Sequence, residues 1–260
     1  MKQKPVAFSA LMTIVVLGAG LFFGSPFVAL LHSFVGADGF SALLNRQVLL
    51  VVVTSLVSAL MATGLAAVVG IALGYHFTYR KKTGGRWLKT FFSLPLVLPP
   101  SAAGYMLLLA FGRYGLIGAP LYQAFSLQIM FTTTALVLAQ FFVITPLMMQ
   151  AASSAFQQIP ESLVKASHSL GADEYTTFVK VLLPLSRPVL VAGVITAFAR
   201  AIGEFGATMM VAGRLKTIPI MIYVKAMGGD AGVADGLSLL LVLLSFLVLF
   251  LVNFLGEKRR

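Results

Sequence analysis

Arg200 and Glu204 are the only charges inside an otherwise apolar run over residues 188–212. An ion is costly enough in hydrocarbon that such a residue counts by default as a functional candidate. At positions i and i+4 the two side chains share one helix face and can pair with each other. Two readings stay open. In one the pair is a self-satisfied ion bridge that holds its helix against a neighbour. In the other Arg200 faces a cavity, offers its charge to an anion there and is positioned by Glu204, with Thr208 as a further lining residue. If that cavity is a passage, it should hold its anion weakly, because tight binding would stop release.

Other chemistry is not supported. His32, His76 and His168 fall on separate loops and form no metal or catalytic set. The absence of cysteine removes disulfides, thiol catalysis and thiolate metal sites. No G-x-x-x-x-G-K-[ST] run occurs, nor any Gly-Lys pair, so ATP binding through a P-loop is excluded. With no nucleophile–base set in the apolar runs, an intramembrane enzyme is disfavoured. No catalytic residue, metal or cofactor is expected.

A second candidate is the polar stretch 153–187, SSAFQQIPESLVKASHSLGADEYTTFVKVLLPLSR. Ile159, Leu163, Ala166 and Leu170 recur at helical spacing, and so do Tyr175, Phe178, Val179, Leu182 and Leu183. Gly171 separates the two runs where a helix C-terminus favours positive φ, and Asp173 is placed to cap the second helix. Pro160 suits a first helical position, with Glu161 well placed for the helix dipole. The pattern predicts helix–glycine–helix with an apolar stripe on each, a shape suited to being gripped by another protein.

The elements that must position these residues are membrane helices. The chain is 59% hydrophobic and 10% charged, against roughly 25% charged in soluble domains. The alternating ten-residue segments of a membrane barrel are absent. Six spans are predicted near 5–31, 48–75, 89–111, 129–150, 188–212 and 236–255, all of a length to cross the hydrocarbon core. The first is long for a signal peptide and no clear A-x-A site follows, so it is read as a retained span. The third is broken by Pro95, Pro99 and Pro100, and the fourth by Pro146, as tolerated where backbone meets protein or a cavity. Gly70-x-x-x-Gly74 in the second allows a close helix contact. Residues 217–227 are either a short outside helix available to a partner protein or a plain loop.

With the N-terminus inside, the inner segments carry thirteen Lys and Arg and the outer ones five. The positive-inside rule therefore predicts both termini inside and places 153–187 in the cytoplasm. The net charge of +11 is then largely topological, and nucleic-acid binding is not needed to explain it.

The spacing in 153–187 resembles the cytoplasmic EAA loop of ABC importer permeases, E-A-A-x3-G-x9-I-x-L-P. Ala166, Gly171, Leu183 and Pro184 match, with Val181 for the usual Ile, while Lys165 and Ser167 stand where Glu and Ala are usual. A second resemblance narrows the family. AFARAIGEFGAT over 197–208 and LPLVLPP over 94–100 are similar to the signatures of molybdate-type permeases, with weaker support from GRYGLIG at 112–118 and Thr217-Ile218-Pro219.

The resemblance implies a type I ABC importer permease, all-α and six-spanning, forming a single domain over 1–260 with 153–187 as its coupling loop. It implies a multi-pass protein of a prokaryotic cytoplasmic membrane, a homodimer that imports molybdate by alternating access. Two ABC ATPase subunits would bind below, through Lys165, Ala166, Ser167, Gly171, Ala172, Val181, Leu183 and Pro184. An external oxyanion-binding protein would dock above. Tungstate or sulfate is the alternative cargo, and a secondary transporter using Arg200 and Glu204 as an ion-coupling pair is the alternative class.

Overall fold

The computed structural model of the chain describes residues 4–36, 43, 45–80 and 85–257. Every regular element among them is helical. Lys2, Asp38, Lys81, Lys82, Lys258, Arg259 and Arg260, which enter the charge count, lie outside the described residues. The helices are α1 (Lys4–Gly36), α2 (Arg46–Tyr79), α3 (Gly85–Ser93), α4 (Pro100–Phe111), α5 (Gly118–Phe125) and α6 (Thr133–Gln157). After them come α7 (Glu161–Ser169), α8 (Glu174–Ile202), α9 (Gly206–Val211), α10 (Ile218–Met227) and α11 (Ala231–Glu257). Residues 217–227 are thus mainly helical and not a plain loop.

Stretches in α1, α2, α6, α8 and α11 are long and apolar enough to cross a bilayer, and α3 with α4 forms a bent pair that would make a sixth. That pair departs from the expected third span. Its two arms meet at 109°, across Pro99 and Pro100, which bring no backbone N–H to continue a helix. Twelve residues of α4 rise about 18 Å, well short of a hydrocarbon core of about 30 Å.

The fifth span also differs. Helix α8 starts well before residue 188 and stops at Ile202, not Ala212. It absorbs Pro184 by widening into a π-helical turn over Phe178–Leu182, where the Leu183 N–H reaches back to the Phe178 carbonyl. Gly203 closes α8, so Glu204 lies beyond it. The expected pair on one helix face is therefore a pair across a helix end. The last helix begins at Ala231, so Asp235 is helical and not in the preceding loop.

The chain forms two compact units. In the smaller, Met1–Leu49 with Ile222–Val242, the Ser33 hydroxyl donates to Asp235 at 2.6 Å. Lys225 pairs with Asp230 at 2.6 Å, and its ammonium holds that carboxyl below the usual carboxylate range. The most apolar stretch of α1 has no buried residue, as suits a lipid-facing helix.

The larger unit, Leu50–Met221 with Leu243–Arg260, is organised around α6. Three buried clusters run along that helix: Val137 and Ile144 meet alanines of α2 and α8, Ala139 and Val143 meet α4 and α9, and Met148, Ala152 and Phe156 meet Leu182 and Leu190. The glycine pair of α2 makes the close contact its spacing predicts. A Cβ on Gly70 would stand 2.7 Å from Met148 Cβ, and one on Gly74 2.6 Å from Ala152 Cβ. Small residues let helix backbones approach where lipid supplies no hydrophobic drive between them.

Candidate functional site

The turn between α7 and α8 is held by its own backbone. Gly171 has φ +83°, the Ala172 N–H donates to the Ser167 carbonyl and the Gly171 N–H to that of His168. This is a Schellman closure, and it needs a left-handed residue at the glycine position. The His168 Nδ1 donates to the Ala172 carbonyl at 3.0 Å. Asp173 then caps α8 as expected, accepting from the Thr176 N–H at 2.8 Å. Hydrogen bonding from Thr176, through side chain and backbone, keeps the Asp173 carboxyl below its ordinary range. Pro160 sits at the N-cap position of α7, which therefore starts one residue later than expected, at Glu161.

The two departures from the EAA pattern have local partners. The Ser167 and Thr177 hydroxyls lie 2.9 Å apart and hydrogen-bond, tying α7 to the root of α8. Lys165 pairs with Glu161 at 3.3 Å, one turn back and in the exposed face of α7, with the glutamate on the favourable N-terminal side. Lys165, Ala166, Gly171 and Pro184 are exposed, and Ser167, Ala172, Val181 and Leu183 are half-buried. The tip of the segment, with Leu170 89% exposed, thus presents a surface. Leu183 instead packs against the α6 core.

Beneath the turn lies a cluster the sequence reading misses. The Glu174 carboxylate accepts from Arg80 Nη2 through both oxygens, at 3.0 and 3.1 Å, and from the Tyr75 hydroxyl at 2.7 Å. The Tyr75 ring in turn packs against the rings of Tyr79, Phe156 and Phe178. The end of α2 is thereby fastened to the first residue of α8. Glu174 is one of only eight acidic residues, which is the sole signal the sequence offers for it.

Arg200 and Glu204 meet at 2.5 Å but in unlike settings, the carboxylate side chain being 1% exposed and the guanidinium side chain 39%. The second Glu204 oxygen accepts from the Ala207 N–H at 3.0 Å and so caps α9. Thr208 is buried and its hydroxyl turns back to the Glu204 and Phe205 carbonyls, so it presents no free donor to a passage. Gln140 of α6, also buried and not foreseen, donates to the Ala201 carbonyl at 3.1 Å. Helix α9 crosses α4 at close range. A Cβ on Gly206 would stand 2.6 Å from Pro100 Cβ, and one on Gly104 2.7 Å from the Ala207 carbonyl oxygen. The LPLVLPP run and the 197–208 run are thus brought together, with Glu204 fixing the helix between them and Arg200 left half-open.

Residues 66–260 match the family described as binding-protein-dependent transport system inner membrane component. The chain is 39% identical over 171 residues to the molybdenum transport system permease protein ModB of Haemophilus influenzae, covering 64% of this chain and 74% of that one. It is 33% identical over 212 residues to the protein of the same name from Escherichia coli K12, covering 78% and 92%. Among solved structures it is similar in fold to a chain of a bacterial alginate ABC transporter crystallised with its alginate pentasaccharide-bound periplasmic protein. The TM-score there is 0.76 at 12% identity, over 98% of this chain and 96% of that one.

Proposed function

Because this chain belongs to the family of binding-protein-dependent transport system inner membrane components, we propose that it is the permease subunit of an ATP-driven molybdate importer. It is an all-α, multi-pass protein with the type I ABC importer permease fold, placed in a prokaryotic cytoplasmic membrane. The observation that carries the cargo is the 33–39% identity to molybdenum permeases. The chain is not itself an enzyme, and ATP is hydrolysed by a separate subunit.

In this reading residues 1–260 form one permease domain of six spans with both termini inside. The charge asymmetry of the loops supports that orientation. Two copies pair around one pathway, two ATPase subunits dock below and an external oxyanion-binding protein docks above. The exposed tip at Lys165, Ala166, Gly171 and Leu170 touches the ATPase. Ser167, Ala172, Val181, Leu183 and Pro184 carry its movement into α8. Arg200 offers a half-open positive charge to a passing dianion without a full set of donors, which suits weak, transient contact. Glu204 and Thr208 keep the break beneath it in shape.

The test is reconstitution of the chain with its ATPase subunits and binding protein in vesicles. ATP-dependent molybdate uptake is expected, with tungstate and sulfate as competitors. Uptake by the chain alone, without the ATPase, would replace this reading with a secondary transporter. Preference for sulfate would change the cargo and leave the class intact.

A further inference from the structure

Helix α3 combines features that nothing in the transport reading uses. Its nine residues, GRWLKTFFS, divide cleanly at 100° per residue. Arg86, Lys89, Thr90 and Ser93 fall on one arc, and Trp87, Leu88, Phe91 and Phe92 on the other. None of its residues is buried, and Trp87 is 81% exposed. The hydroxyls of Thr90 and Ser93 are turned back to carbonyls of α3 itself, which leaves the two cations as the outward chemistry of the polar arc. Among the described residues neither Arg86 nor Lys89 enters an ion pair, and no acidic residue occurs between Asp38 and Glu161.

The 109° bend sets the orientation. With α4 directed across the bilayer, α3 lies close to the membrane plane. Beside it opens an apolar cleft of about 260 Å³ whose lining includes Val69, Phe91, Phe92, Met106, Phe142 and Pro146. Thr145, which also borders it, spends its hydroxyl on the Phe141 carbonyl at 2.6 Å. A basic arc on α3 and an apolar cleft beside it are complementary to a molecule with an anionic head and a hydrocarbon tail.

We propose that α3 and this cleft form a binding site for an anionic phospholipid, the headgroup held by Arg86 and Lys89 and an acyl chain seated along Phe91, Phe92 and Phe142. Interfacial helices with this division of residues bury the apolar arc at the headgroup boundary, and tryptophan is enriched at that depth. The proposal rests on the permease reading only for the leaflet, which is then the cytoplasmic one.

Trp87 is the only tryptophan of the chain, so its fluorescence reports α3 alone. The full chain is placed in vesicles of phosphatidylcholine and phosphatidylglycerol, with bromine on the acyl chains of one lipid or the other. At equal bromine content, brominated phosphatidylglycerol should quench Trp87 several-fold more strongly than brominated phosphatidylcholine, reflecting local enrichment of up to roughly thirtyfold from two basic residues. Arg86→Gln with Lys89→Gln should remove the difference, and Arg86→Lys with Lys89→Arg should keep it. Equal quenching by both lipids in the unaltered chain overturns the proposal. So does the absence of quenching, or its loss on adding the ATPase subunits, which would identify a protein surface over α3. The measurement needs no transport, so lost lipid selectivity with intact uptake defeats this site alone.

Discussion

The carboxylate of Glu174 lies against the guanidinium of Arg80, both of its oxygens within 3.1 Å of Nη2, although the residues are 94 positions apart. This pair joins the end of α2 to the start of α8, so a push on the α7 turn reaches two long helices together. Both side chains are about half exposed, so the pair should add little to stability and act mainly as a linkage.

Glu174→Gln should therefore leave the chain folded, with an unchanged melting temperature, and raise the ATP hydrolysed per anion imported. Arg80→Glu with Glu174→Arg should restore part of the coupling. The ratio of ATPase to uptake rates in vesicles checks both. An unchanged ratio in Glu174→Gln would mean that the ring cluster around Tyr75 and Phe178 suffices.

Gly171 separates conformational from contact effects. Its φ of +83° is costly for any other residue, by roughly 1–2 kcal/mol, and a Cβ there would have nothing within 4 Å in this chain. Gly171→Ala and Gly171→Trp should thus destabilise the chain to a similar degree. If the turn docks in an ATPase groove, only the tryptophan should also uncouple hydrolysis from uptake. Thermal melts and coupled assays on the two variants test this, and equal coupling in both would remove the turn from the interface.

The α7 turn was legible from sequence because its determinants are local: a glycine that closes one helix and an aspartate that caps the next lie two residues apart. The Arg80–Glu174 pair was not, since helical periodicity says nothing about which helix ends meet. Prolines 95, 99 and 100 announced a break, but the 109° between its arms depends on what packs behind them. The end of α8 escaped for another reason. Gly203-Glu204-Phe205-Gly206 reads as part of one apolar run, and hydropathy does not register that Gly203 ends a helix.

That ending assigns different consequences to Arg200 and Glu204. Removing the buried carboxylate in Glu204→Ala strips the cap from α9 and leaves the Ala207 N–H unpaired, costing roughly 1–2 kcal/mol. Lower yield and a lower melting temperature should follow. Arg200→Gln keeps a donor for Glu204 and removes only the half-exposed charge, so the chain should fold and uptake should fall severalfold at limiting anion. Melts in detergent and uptake against anion concentration separate the two. Should Arg200→Gln fold as poorly as Glu204→Ala, the pair is an ion bridge and not part of a pathway.

The glycines on either side of Glu204 should respond unequally. At Gly203, φ is −85° and a Cβ would meet only the Ala199 carbonyl oxygen, at 3.5 Å. Gly203→Ala should be tolerated within about 0.5 kcal/mol. At Gly206 the added carbon would stand 2.6 Å from Pro100 Cβ and 3.1 Å from the Ser101 nitrogen, atoms on a backbone that cannot swing aside. Gly206→Ala should cost about 1–3 kcal/mol through overpacking and push α4 from α9. Because that crossing joins the two signature runs, uptake should fall in Gly206→Ala even in the folded fraction, whereas Gly203→Ala should transport normally. Melting temperatures with uptake per folded transporter decide the matter, and equal behaviour of the two variants would show that the α4–α9 crossing is not needed for transport.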